Sequence, residues 1–317
     1  MSTIILILLA LGVVALIATR KPRSSDSQMT DVCPADGSPP APEVTVIDSD
    51  GKEITFDQFA DRLLQSDIIS VGELHDSAAH HEMQLRIIEA VFKRDPDLGV
   101  GMEMFQRPFQ DVLDSFIAGE ITEEQLVEDS EYKTRWGFPW ELYQPIVDHA
   151  RLNKIPVAAL NAPKELTRRV KEVGWDGLVQ EEKDALGPVD FQVPAHRDHW
   201  LPMLSHMHGN RTPSADEKER SYQIMTIWDD YMAQSAANFK SERGLRRMII
   251  LAGGGHVEGG FGIPDRAAGY SKGKSVTVGI VITGINDHGP NLPVDFLIRV
   301  SPGKTGICSG SGADTCN

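Results

Sequence analysis

Three cysteines in 317 residues (Cys33, Cys308 and Cys316) are too few to build a disulfide scaffold. Basic charge is also scarce: 31 Lys and Arg stand against 46 Asp and Glu, a net charge of −15. Residues 1–40 balance Arg20, Lys21 and Arg23 against Asp26, Asp31 and Asp36, so the excess belongs to the rest of the chain. A body that acidic, with no evident Lys/Arg stripe, has little with which to displace counterions from phosphates, and nucleic acid is excluded as a partner. Sharp catalytic signatures are missing too. His81-Glu82-Met83-Gln84-Leu85 opens like a zincin helix but ends in Leu, and Gly253-Gly254-Gly255-His256-Val257-Glu258-Gly259 does not fit the dinucleotide fingerprint. No P-loop Lys-Ser/Thr occurs, no G-x-S-x-G follows a strand, and no repeat is visible.

Long apolar runs are absent except for Ile4–Ala18. As a helix it would be roughly 22–26 Å long, short of the ~30 Å hydrocarbon core. It has no Lys or Arg before it and no small residue at the −3 position of the Leu16-Ile17-Ala18 site, so residues 1–19 are expected to form an uncleaved anchor rather than a cleaved signal. Arg20, Lys21 and Arg23 would by themselves hold the body on the cytoplasmic side. Residues 20–43, rich in Ser, Asp, Pro and Gly, read as a flexible linker, 44–301 as the folded domain, and 302–317 as a flexible tail. In that tail Cys308 and Cys316 either close a small loop or stay as free thiols.

Within the body, short apolar β-branched runs recur at 67–71, 98–102, 156–160, 248–252, 276–281 and 296–300. Near-continuous apolarity is the mark of strands covered on both faces. Helical patterns lie between them at 79–92, 110–117, 140–152, 164–173, 196–206 and 222–239, with Asp76 or Ser77 as the N-cap of the first. This predicts an α/β fold, a mostly parallel central sheet flanked by helices, with an added helical layer around 164–245.

Ligands of such sheets bind beyond the carboxyl ends of the strands. The residues delivered there are Glu73 and His75 after the first run, Glu103 after the second, Asn161 after the third and His256 after the fourth. Buried acids and imidazoles are costly unless they are paired, so core packing alone does not call for them. Glu73, His75, Glu103 and His256 suit either a divalent metal or a carboxylate-held histidine acting as a general base. The triple glycine can let backbone approach a ligand and offer N–H groups to an anion. His80 and His81 are weaker candidates near a helix start. Five of the 21 aromatic residues fall within 132–143, as an aromatic wall or as packing. His196, His199, Met203, His206, Met207 and His208 can share a helix with metal- or iron-ligating capacity, or simply form a solvated face.

Val71-Gly72-Glu73-Leu74-His75-Asp76 with His80-His81, Gly101-Met102-Glu103-Met104-Phe105-Gln106-Arg107, Asn161-Ala162-Pro163, the Trp228–Phe239 stretch and Gly253-Gly254-Gly255-His256 together resemble the ChaN-like haem-binding proteins of the haem-binding uptake/Tiki superfamily. Remoter members of that superfamily are erythromycin esterases and metal-dependent Tiki peptidases. The resemblance implies a membrane-tethered envelope protein of haem or iron uptake, and a possible homodimer that stacks two haems with a Tyr on iron. No particular tyrosine is carried over. For a haem-binding protein the expected cofactor-binding residues are His75, His81, Tyr143 and His256, with His256 or His75 at the propionates. The superfamily's catalytic pattern maps onto Glu73, His75, Glu103 and His256, the expected set for the alternative, a metal-dependent hydrolase. Family placement puts the body in the periplasm, against the charge bias. The lipoprotein Cys expected directly after the apolar run is absent.

Overall fold

A computed structural model describes residues 42–207, 212–284 and 292–301, without the side chains of 205–207. The apolar run 4–18, all three cysteines and His208 lie outside the described residues, as do the side chains of His206 and Met207. Among the described residues no helix is long and apolar enough to cross a membrane.

Eight strands form one sheet: β1 (Glu43–Asp48), β2 (Glu53–Ile54), β3 (Ile68–Glu73), β4 (Leu98–Gln106), β5 (Val157–Asn161), β6 (Arg247–Gly253), β7 (Ser275–Ile282) and β8 (Phe296–Ser301). Their order is β2-β1-β8-β7-β3-β6-β4-β5. The six strands from β8 to β5 are parallel, while β1 pairs antiparallel with β8 and β2 with β1. The first half of the chain supplies helices α1 (Phe56–Leu63), α2 (Ala78–Arg94), α3 (Gln110–Ala118), α4 (Glu123–Asp129), α5 (Tyr132–Arg135) and α6 (Gln144–Asn153). The second half supplies α7 (Lys164–Val173), α8 (Gln180–Leu186), α9 (Pro194–Met207), α10 (Ala215–Glu242), α11 (Gly254–Val257) and α12 (Ile263–Ser271).

Alternation along each strand sorts side chains between two cores. On one face Ile69 and Val71 of β3 meet Ile87, Ile88 and Val91 of α2, with Val147 and Ala150 of α6 in the same cluster. On the other, Ile68, Met248, Ile250 and Ala252 meet Met232, Ala233 and Ala236 of α10 and Ile263 and Ala267 of α12. Glycines 99 and 101 of β4 face this second core, where a Cβ at 101 would lie 2.9 Å from Leu160 Cδ1. The expected extra helical layer is present: a third apolar cluster joins Val170 of α7, Leu186 of α8, Trp200 of α9 and Tyr222 and Ile227 of α10. The 28-residue α10 begins with a capping box between Ser214 and Glu217 and serves both the sheet and this layer.

Two features depart from the sequence expectation. The β1–β2 hairpin lies at the start of the expected 44–301 domain, and β1 finds its partner in β8. Strand β4 runs four residues further than its apolar pattern indicates, with an irregularity between Met102 and Gln106, so Glu103 sits inside the strand.

The strand order reverses around β3 and β6. From β3 the chain moves through β4 to β5, returns to insert β6, then crosses to β7. Helices α2 and α12 therefore cover opposite faces, and a crevice opens at the carboxyl ends of β3 and β6. The hairpin end is tied in by Phe59 of α1, fully buried and 5.1 Å from the ring of Phe296. Phe59→Ala is expected to cost about 3–5 kcal/mol, read as a lower urea midpoint. A change of under ~1 kcal/mol would mean that this end is only loosely joined to the sheet.

Candidate functional site

Two buried carboxylates, one under each face of the sheet, organise the strand tips. Glu73 ends β3 on the α2 side, with its side chain fully buried. His75 Nδ1–H donates to Glu73 Oε1 at 2.8 Å, and the hydroxyl of Tyr143 donates to the same oxygen at 2.8 Å. Gln84 of α2 donates its amide to Oε2 at 2.8 Å, with His81 Nδ1 3.3 Å from that oxygen. His81 meets acceptors on both sides, Gln84 Oε1 and the His75 carbonyl, which demands a proton on each ring nitrogen. Burial opposes charge on Glu73, but the bonds from His75 and His81 outweigh it and hold the carboxyl at about 2. His81 is correspondingly raised: burial pushes it down and Glu73 more than compensates. His75 also stands above the ordinary histidine value, since its bond to Glu73 and the charge of Glu103 exceed the cost of burial.

Asp229, fully buried on α10, plays the matching part on the other face. It accepts from His256 Nδ1 at 2.6 Å and from His196 Nε2 at 2.7 Å. Glu103 Oε1 lies 3.7 Å from the opposite nitrogen of His256. Burial would drive His256 down, yet the charges of Asp229 and Glu103 lift it to about 9. Burial would likewise raise Asp229, and the two imidazoles hold it at about 2. His256 is thus an imidazolium clasped between two carboxylates at neutral pH.

The triple glycine lets the two halves meet. A Cβ at 253 would stand 2.9 Å from His75 Cε1, 3.1 Å from its Nε2 and 3.7 Å from Glu103 Oε2. One at 254 would strike Glu258 Oε1 at 2.9 Å, and one at 255 Trp200 Cη2 at 2.8 Å. The bareness expected to admit a ligand is therefore filled by the chain's own side chains. The N–H of Gly253 is also taken, donating to Glu103 Oε2 at 2.7 Å.

Of the expected residues, Glu73, His75, Glu103 and His256 do converge on this crevice, and their roles separate. His75, with 28% of its side chain exposed, is the open member. Its ring is 4.8 Å from Trp136 and 5.0 Å from Phe138, so the aromatic segment reaches the site through these two. Tyr143 and His81, expected as cofactor contacts, instead lie beneath His75 with their polar atoms turned to Glu73. His80 is structural as well: its Nδ1 accepts from the Leu74 N–H at 3.0 Å, and burial pushes its pKa down to about 4. The same four residues, Glu73, His75, Glu103 and His256, are the expected divalent-metal set. Both oxygens of Glu73 are committed to hydrogen bonds, and no group of three or more His, Cys, Asp or Glu side chains able to hold a metal ion occurs among the described residues.

Nor is α9 a solvated face. His196 is fully buried on Asp229, Trp200 packs 5.1 Å from His256, and His199 Nε2 lies 3.2 Å from the Gly255 carbonyl. Gln84 falls on the apolar stripe of α2, where a polar residue marks a buried partner, whereas Asp229 sits in a stretch of α10 buried on nearly every side and has no such sign in the sequence.

His256 gives a pH signature. Its folded value near 9 exceeds the roughly 6.5 of an unfolded histidine. Its stabilising contribution is therefore complete below pH ~6.5 and lost as pH rises through about 9, at about 1.4 kcal/mol per pKa unit of difference. Urea midpoints between pH 6 and 10 should fall more steeply for the wild type than for His256→Asn. Parallel curves would refute the assignment.

Comparison with known proteins gives the same placement. The sequence model described as "Haem-binding uptake, Tiki superfamily, ChaN" matches residues 59–267. The structure is similar to that of ChaN of Campylobacter jejuni, described with cofacial haem, with a TM-score of 0.64 at 19% identity, covering 81% of this chain and 96% of that one. An erythromycin esterase, EreC, aligns at a TM-score of 0.44 and 12% identity over 82% of this chain and 83% of its own. The chloroplastic protein RETICULATA-RELATED 5 of Arabidopsis thaliana is 24% identical over 225 residues, 65% of this chain, and the chain spans only 30% of that protein's length. With its α/β fold and about two thirds of its length matched by the family model, the chain belongs to the ChaN family of haem-binding uptake proteins in the Tiki superfamily.

Proposed function

We propose that this protein binds haem at the strand tips, with His75 as the iron ligand. One observation carries the reading. His75 is the solvent-open imidazole of the cluster, its Nδ1–H is tied to the buried Glu73, and Nε2 is left as the donor. A carboxylate behind an imidazole fixes its tautomer and orientation and raises its basicity, the usual support for a metal-bound histidine. Trp136 and Phe138 flank that ring with apolar surface suited to a flat ligand. Bound haem would supply an iron centre able to accept the imidazole nitrogen; the chain's part is to orient the imidazole and exclude water.

A tyrosine ligand fits this chain poorly. Tyr132, Tyr143, Tyr222 and Tyr231 are buried, and burial pushes each hydroxyl above its ordinary value, which disfavours the phenolate. Tyr270 is exposed, but its hydroxyl donates to Asp230 and is pushed up to about 12, by burial first and then by that carboxylate. The proposal extends the family assignment to haem or iron uptake outside the cytoplasm, with residues 4–18 as the tether and a homodimer as the assembled form.

Hemin titrated into the purified chain should shift the Soret band. His75→Ala should weaken binding by about tenfold or more and change the spectrum, whereas Tyr270→Phe should leave both unaltered. An unshifted band at micromolar hemin, or a His75→Ala variant indistinguishable from the wild type, overturns the reading.

A second reading, hydrolysis, is favoured by the presence in one crevice of an imidazole held by Glu73 and the imidazolium of His256, whose charge acts on His75. A histidine held by Glu73 can accept a proton from water while His256 donates one to a leaving group. This version needs no metal from the four residues. Turnover of activated esters should then vanish in both His75→Ala and His256→Ala; turnover that persists in either variant removes the hydrolase from consideration.

A further inference from the structure

A cleft of about 1040 Å³ opens between α7 and the first half of α10. On α7, Lys164, Arg168 and Lys171 stand four and three residues apart, which places them on one face of the helix. On α10, Arg220, Ile224 and Trp228 repeat every four residues and line the opposite wall. Arg135 completes the basic lining. No Lys/Arg stripe is evident along the chain because the five cations come from three helices.

The three carboxylates of the cleft do not cancel them. Glu131 and Glu165 are taken up by Arg135, and Glu217 caps the α10 N-terminus. Lys164 Nζ donates to the Thr134 carbonyl at 3.0 Å and Arg220 to the Glu172 carbonyl at 3.0 Å, both uncharged acceptors. Lys164 and Arg220 thus meet uncharged acceptors, Lys171 has no partner among the described residues, and Arg168 shares with Arg135 the charge of Glu165. In a chain of net charge −15, cations concentrated on facing walls repel one another and create a local positive potential. That arrangement favours an anion. Ile224, Met225 and Trp228 give the cleft an apolar floor, so the anion belongs to an amphiphile rather than to a small free ion. The Trp228 ring lies 6.3 Å from that of His256, which joins the cleft to the histidine cluster.

We infer that this cleft seats the carboxylate edge of a tetrapyrrole, so that recognition is divided between the cations of α7 and α10 and the imidazole of His75. The inference rests on the haem reading and adds to it a charge requirement independent of iron. It also places the anionic edge on α10, where Trp228 precedes Asp229, the carboxylate that holds His256.

Metal-free protoporphyrin IX keeps both carboxylates and lacks iron; its dimethyl ester lacks the charges as well. Fluorescence titration of the full chain should show the free acid binding with an affinity that falls as salt is added, and the ester binding about tenfold more weakly or worse. Arg168→Glu combined with Lys171→Glu should weaken the acid by about tenfold and leave the ester unchanged, and Arg168→Gln with Lys171→Gln should give a smaller loss. A urea midpoint matching the wild type confirms that each variant is folded. Equal binding of acid and ester, no binding of either, or charge reversal without effect overturns the inference. The haem reading is judged separately, since hemin ligation through His75 is read from the Soret band and can hold or fail by itself.

Discussion

The strand tips depend on the cost of hiding a carboxylate. Glu73 and Asp229 are fully out of contact with water, and an unpaired charge there would cost several kcal/mol. Each is therefore surrounded by donors, and those donors are what give the site its shape. Glu73 takes His75, His81, Gln84 and Tyr143; Asp229 takes His196 and His256. Removing any one donor leaves a charge partly unsatisfied, so ligand-facing geometry and fold stability are bound together. A single imidazole reaches solvent from the Glu73 set, and its orientation is determined from beneath.

Much of this was legible in the chain. Strands buried on both faces leave near-continuous apolar runs, and five of the eight were recognisable for that reason, with β8 closing the fold. Glu73, His75, Glu103 and His256 stood out because ionisable residues directly after such runs have no packing purpose. Other parts were hidden by their own physics. β1 and β2 are short and follow a proline-rich segment; β2 pairs only with β1, and β1 is joined to the sheet by β8 some 250 residues away, a contact that no local pattern encodes. The length of β4 was underread because Glu103 and Gln106 look like a strand's end when only hydropathy is followed. Asp229 lies in the middle of a long helix, where two adjacent aspartates resemble a solvated face; their burial becomes evident only once α10 is sandwiched between the sheet and the outer helices.

The same logic explains why aromatic residues near the site divide into two kinds. Tyr132 packs edge-on to both Tyr143 and Trp140, and these buried rings hold the 132–143 segment in the core beneath the sheet face. Trp136 and Phe138, from the same segment, stand against the exposed His75. A cluster of five aromatics is thus neither a ligand wall nor a packing feature as a whole. The buried members fix the backbone so that the partly exposed pair has a defined place, which lowers the entropy lost when a flat ligand is enclosed.

Sheet register ties the two carboxylate systems to each other. Glu73 is opposite Gly253 in the β3–β6 pairing, and Met102 is opposite Leu251 in the β4–β6 pairing. Because successive side chains point to opposite faces, a slip of one residue in β3 would carry Glu73 away from α2 and α6 and toward α10, where Asp229 already lies. Two anions would then share one buried pocket while His81, Gln84 and Tyr143 lost their acceptor. The polar groups at the strand tips, costly to bury singly, therefore favour one register of the central strands over its neighbours. That same register sets Gly253 beside His75, whose ring a side chain at 253 would crowd at 2.9 Å. The device that keeps the fold unique and the device that assembles the crevice are one set of hydrogen bonds.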